Sequence, residues 1–174
     1  MFRPLATLLV AACLTLTAHA GMDDFVAGTA VPGFGKSAPV EGFSLPADTA
    51  FKVAFDVSDA APADDVNKGF NTAARFLNMH AAAGVSPENM SVAIVVHGPA
   101  ASDLLTDAKL GHANPSAPLV AELITAGASI QLCGQTAAAR DFAPEDLLPG
   151  VTVSLSAMTA HALLQQDGYT LNPF

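Results

Sequence analysis

The chain has 174 residues, with 16 acidic against 7 basic side chains and a net charge of −9. That balance argues against a nucleic-acid partner, since a polyanion would meet repulsion and no cluster of Lys or Arg offsets it, and it disfavours an anionic membrane face for the same reason. The low content of charged residues, 13%, fits one domain with tightly packed helices and part of its surface given to a homo-oligomer interface.

Residues 1–20 read as a cleavable signal peptide: Arg3, an apolar run from Leu5 to Thr17, then the small-x-small site Ala18-His19-Ala20. The run is too short to span a bilayer. Export to the periplasm is the expectation, with no membrane association after cleavage. A competing site, Val10-Ala11-Ala12-Cys13, would instead acylate Cys13 as in a lipoprotein, but apolar residues continue past it and favour the later cut. Cleavage removes Arg3 and no acid, so the mature charge is −10.

Residues 21–50 are rich in Gly, Pro, Ala and Ser and show no sustained period, which predicts an extended N-terminal arm. Phe25, Phe34 and Phe43 are expected to pack on the domain or on a neighbouring subunit.

From Phe51 to Phe174 short apolar runs alternate with helical stretches. The pattern predicts strands at Phe51–Val57, Ser91–Val96, Ser129–Cys133, Val151–Leu155 and Tyr169–Leu171. Helices are expected over Ala63–Ala83, Ser102–Lys109, Leu119–Ala126 and Ala157–Asp167, with a loop carrying Pro115 and Pro118 and a short helix or turn leading to Leu148. Strands apolar on both faces and separated by helices imply an α/β fold: a doubly wound, mostly parallel five-stranded sheet with helices on both faces.

Ligands of open α/β sheets bind beyond the carboxyl ends of the strands. That rule selects Ser58 and Asp59, His97 and Gly98, Cys133 and Gly134, and Ser154 and Ser156. Cys133 is the one cysteine left after signal cleavage, so the mature chain can form no internal disulfide. It precedes Gly134-Gln135-Thr136, where a helical turn should begin and its free amides would favour a thiolate. Two roles stay open at this point, a small apolar residue that finishes a strand or a reactive thiol. Arg140, seven residues on, would add positive potential. His97 either exchanges a proton with the thiolate or is an ordinary hydrogen-bonded core residue, and Gly98 lets the backbone approach the cleft.

On the first helix Asn67, Asn71, Arg75 and Asn78 form one polar stripe. Asparagine is a poor helix former, so the repetition points to bonds with loops, a ligand or a neighbouring subunit, against the alternative of a plain solvated face. Gly35-Lys36-Ser37 ends a relaxed phosphate-loop pattern, but Pro39, Gly42 and Pro46 forbid the helix that such a loop requires. His80, His97, His112, His161 and Cys133 lack close ligand spacing, so no metal or other cofactor is expected. Ser154 and Ser156 lack a nucleophile-elbow pattern.

Val95-Val96-His97-Gly98, the segment Leu123–Gln135 with its strand-ending Cys133-Gly134-Gln135, Leu155–Ala160 and Gln165–Tyr169 together resemble the DsrE/DsrF-like sulfur-relay superfamily, more closely its signal-bearing periplasmic branch. The resemblance covers residues 51–174. It implies a small doubly wound domain, trimeric or hexameric, whose cysteine carries sulfur as a persulfide. Cys133 would then be the sulfur acceptor, a small sulfur compound or a thiol its partner, and His97, Gly134 and Gln135 would shape and polarise the pocket. The alternative is a non-catalytic oligomeric module that holds a small ligand or metal near Cys133, His97 and the asparagine stripe.

Overall fold

A parallel strand buried on both faces must be apolar on both, and the central strand of this sheet, Met90–Val96, is. The computed structural model describes residues 21–174; the expected signal segment, with Cys13, lies outside the described residues. Its elements are β1 (Phe51–Val57), α1 (Lys68–Ala82), β2 (Met90–Val96), a 3-10 segment (Gly98–Leu104), α2 (Asp107–Leu110), α3 (Ala117–Thr125), β3 (Ser129–Cys133), α4 (Gly134–Arg140), β4 (Thr152–Ser154), α5 (Ala157–Gln166) and β5 (Thr170–Asn172). The five strands lie in the order β4-β3-β2-β1-β5, and every pairing is parallel. The sheet is therefore wholly rather than mostly parallel.

The strand order dictates where the helices go. From β1 to β4 each step moves the same way across the sheet, so right-handed crossovers place α1, α3 and α4 on one face. The step from β4 to β5 runs back to the far side of β1, and its helix, α5, crosses the other face. The first face is the core: Val53, Phe55, Val57, Val92, Ile94, Val96, Ile130 and Leu132 pack against Phe70, Ala74, Leu77, Leu119 and Leu123. Towards α5 the strands present Ala54, Ala93 and Val95, small side chains that let the helix sit close. Among the described residues no helix is long and apolar enough to cross a membrane.

Helix boundaries differ from expectation where tertiary contacts set them. α1 starts at Lys68 and not near Ala63, because Asn67 is its cap: the side-chain oxygen accepts from Gly69 N–H at 2.8 Å and Phe70 N–H at 3.2 Å. Asp64, at φ 62°, is outside helical space. The helix expected over Ser102–Lys109 is two pieces, divided where the Thr106 side chain accepts from Lys109 N–H and caps α2. Pro118 falls in the first turn of α3, where its missing N–H costs nothing, and not in the preceding loop.

The arm is held on the core face by the polar stripe of α1. Val31 is fully buried and Phe34 packs against the core, whereas Phe25 and Phe43 stay exposed, so a valine does much of what the phenylalanines were expected to do. A bridge between Val26 and Ser37 closes the arm into a loop. Its crossing over α1 requires glycine at position 35: the residue is at φ 61°, and an added Cβ would strike the backbone of Ala74 and Arg75.

Candidate functional site

The helices following β3 and β4 leave to opposite faces of the sheet, and the crevice between two such neighbouring strands is where α/β sheets bind ligands. Cys133 ends β3 there, with α4 beginning at the next residue and the N-terminus of α5 facing it across the crevice. A cleft of about 320 Å³ opens over it, lined by Asp56, His97, Cys133, Gln135, Thr136, Ser156, Ala157, Met158 and His161.

Cys133 is 6% exposed. Burial pushes its thiol up, but the N–H groups of Thr136 and Ala157, the Thr136 hydroxyl and the N–H of Gln135 outweigh burial and hold the pKa below the ordinary thiol value. Cys133 makes no side-chain cap bond to α4; the surrounding donors favour its ionised form. Each donor is itself fixed. Gly98 N–H donates to Thr136 Oγ1 at 3.2 Å, leaving the Thr136 proton free for sulfur. Ser156 caps α5 by accepting from Thr159 N–H at 3.0 Å, so the Ala157 N–H in the same first turn is left for Cys133. Gln135 Nε2 donates to Leu155 O at 3.2 Å and braces the β4–α5 loop. Gly134 lies so near that loop that an added Cβ would sit 2.5 Å from Ser154 O.

The second half of the cleft is a carboxylate between two imidazoles. His161 Nε2–H donates to Asp56 Oδ1 at 2.8 Å, and His97 Nε2–H donates to Asp56 Oδ2 at 3.2 Å. Burial pushes the Asp56 carboxyl up, and the hydrogen bonds from the two imidazoles, with the charge of His97, more than offset this, holding it below the usual carboxylate range. Among the described residues no group of three or more His, Cys, Asp or Glu is arranged to hold a metal.

The structure thus brings Cys133, His97, Gln135 and Ser156 to one cleft, whereas Gly98 and Gly134 adjoin His97 and Cys133 in the chain without lining it. His97 bonds to Asp56 and not to Cys133. Asn71, Arg75 and Asn78 are elsewhere: they line no part of this cleft and hold the arm instead, through Gly35 N–H to Asn71 Oδ1 at 2.9 Å, Arg75 Nε–H to Lys36 O at 3.0 Å and Val31 N–H to Asn78 Oδ1 at 2.9 Å. Arg140 is exposed at the far end of α4 and does not line the cleft, because seven helical residues carry it about 10 Å from the helix start. Sequence reasoning missed Asp56 and weighed His161 only as a metal ligand. Asp56 was nonetheless visible as the acid in the apolar run Phe51–Val57, next to the strand end that the edge rule selects.

A larger cleft, about 400 Å³, lies between the arm and α1, but its walls are mostly apolar and carry no nucleophile. Its one histidine, His80, is engaged through Nδ1 with Phe76 O at 2.8 Å. The chemistry is concentrated at Cys133.

The donors around the thiol have a measurable consequence. Thr136→Val removes one of them and should raise the pH of half-maximal alkylation of Cys133 by iodoacetamide; an unchanged profile would mean that the hydroxyl does not reach the sulfur. Because the folded thiol ionises at lower pH than the unfolded one, stability increases as pH rises through that interval and is lost as pH falls through the folded value. Cys133→Ser should lack this alkaline gain in denaturant titrations.

The model of the DsrE/DsrF-like family matches residues 52–173. No curated protein matches the chain significantly. Solved structures that share its fold include the following two. The protein of unknown function MTH1491 from Methanobacterium thermoautotrophicum is 20% identical with a TM-score of 0.55, over 70% of this chain and 97% of that one. The ychN protein from E. coli is 16% identical with a TM-score of 0.51, over 70% and 99%. With the family model spanning every strand of the sheet and the Cys133 crevice, the chain belongs to the DsrE/DsrF-like family.

Proposed function

We propose that this protein handles sulfur outside the cytoplasm, in the periplasm, by carrying a sulfane sulfur as a persulfide on Cys133. The observation that carries the reading is the environment of that thiol: nearly buried, yet surrounded by donors that favour its anion, and opening on a cleft sized for a small molecule or a thiol-bearing tail. A buried structural cysteine has no use for such donors, whereas a thiolate is the attacking species in every sulfur exchange. The signal-like segment at residues 1–20 supports the location.

Self-association, as a trimer or hexamer, belongs to the same reading. Its support is the face that α5 covers alone, where Leu155, Met158, Leu163 and Leu171 are exposed, Met158 by 81%. A ligand held jointly by Cys133, His97 and the asparagine stripe draws no support, since Asn71 and Asn78 bond to the arm.

Intact-mass measurement after treatment with polysulfide or thiosulfate tests the reading. The expected result is one added sulfur atom, removed by dithiothreitol and absent in Cys133→Ser. A wild-type protein that gains no such adduct would overturn it.

A further inference from the structure

The Asp56 pair of hydrogen bonds gives its two histidines different work. His161 Nδ1 is buried with no hydrogen-bond partner, so the ring's polar contact is through Nε2, which donates to Asp56 Oδ1. A proton on that Nδ1 would be a buried donor without an acceptor, a costly arrangement. His97 is more open, its side chain 33% exposed against 17% for His161. Its Nε2 faces Asp56 Oδ2, and among the described residues its Nδ1 makes no hydrogen bond. One imidazole is therefore built to fix the carboxylate, and the other, which lines the cleft of Cys133, is held by it through one nitrogen and has the second unengaged.

We infer that Asp56, His97 and His161 form a proton-donating array for exchange at Cys133, in which His161 orients Asp56, Asp56 holds the His97 imidazolium, and His97 Nδ1–H protonates the departing thiolate. The inference deepens the sulfur-carrier reading and rests on it for its natural substrate, a persulfide or other sulfane donor R–S–SH. The Cys133 thiolate attacks the outer sulfur, a Cys133 S–S bond forms, and the bond between that sulfur and R–S breaks. The electron pair leaves on R–S⁻, which takes the His97 proton and departs as R–SH. Sulfur is passed on with no net oxidation, and His97 recovers its proton from solvent. The arrangement of carboxylate, imidazole and reacting group is the one that general acid–base sites use to hold and stabilise an imidazolium. His97 is the proton donor; Asp56 and His161 are positioning residues.

A leaving group that is a poor base has no need of the proton, which separates this role from activation of Cys133 itself. Three probes suffice: iodoacetamide, dithiobis(nitrobenzoate), whose thiolate leaves readily, and bis(hydroxyethyl) disulfide, whose thiolate is basic. His97→Gln and Asp56→Asn should slow the third by about a hundredfold, the low end of what a positioned acid contributes, and should not slow the first two. The slope of the third rate against pH should flatten in the same variants. His161→Gln, which retains a side-chain N–H for Asp56, should preserve most of the rate that His161→Leu loses. Equal slowing with all three probes would overturn the inference, since the array would then act on the nucleophile or on the fold. Absence of any slowing would overturn it too. None of the probes contains sulfane sulfur, so a failed persulfide adduct would remove the sulfur-carrier reading and leave this result standing.

Discussion

Asn78→Ala is expected to cost the fold about 3 kcal/mol, the value of two or three buried polar groups left without partners, and to free residues 26–37 for proteolysis while the sheet stays intact. Asn78 is 1% exposed. Its Oδ1 accepts from Val31 N–H at 2.9 Å, and its Nδ2 donates to Val31 O at 3.0 Å, Phe34 O at 2.9 Å and Gly35 O at 3.2 Å. Alanine supplies none of these bonds. The arm can escape the penalty by lifting off, but this exposes Val31 and Phe34, and Val31 alone is worth about 1.5–3 kcal/mol when buried. The two costs are comparable, which fixes the scale of the loss. Asn71→Ala removes the single bond from Gly35 N–H and should cost about 1 kcal/mol. Urea midpoints rank the two variants, and cleavage within residues 26–37 reports the arm. An Asn78→Ala protein as stable as wild type would mean that the arm is not anchored by this side chain.

The same stripe shows where sequence reading stops. Its periodicity along α1 was legible, and so was the anomaly of several asparagines on one helix face. What they bond to was not, because the arm has no periodicity of its own and its pairing spans 36 to 47 residues of chain. Strands were legible for the opposite reason: β2 lies within one residue of its expected limits, since a parallel strand buried along nearly its whole length stands out as an apolar run. The start of α1 was misplaced because its cap, Asn67, is set by tertiary contact, its Nδ2 donating to Asp103 Oδ2 at 2.6 Å. At the site, His97 came from the rule about strand ends, and Cys133 from that rule together with the cysteine count. His161 could not, for it reaches Asp56 across 105 residues, from a helix whose side of the sheet depends on where β5 inserts.

Gly134→Ala should damage both the fold and the reactivity of Cys133, through one methyl group. An added Cβ would lie 2.5 Å from Ser154 O and 3.1 Å from Leu155 O, backbone atoms that cannot rotate away. Relief requires β4 or the loop into α5 to move, at a cost of about 1–3 kcal/mol, as for other overpacked sites. That loop is what positions the Ala157 N–H, one of the donors that lower the Cys133 pKa. As the loop retreats the thiolate loses that donor while its burial persists, so the pH of half-maximal alkylation should rise and the rate at neutral pH should fall. Gly21→Ala is the control, since a Cβ there meets nothing within 4 Å and should alter neither property. A Gly134→Ala protein that is destabilised yet keeps the wild-type alkylation profile would show that the α5 amide is dispensable and that α4 alone stabilises the thiolate. A shifted profile would make the Cys133 environment a joint product of two helix starts, which only a crevice between oppositely leaving strands can bring together.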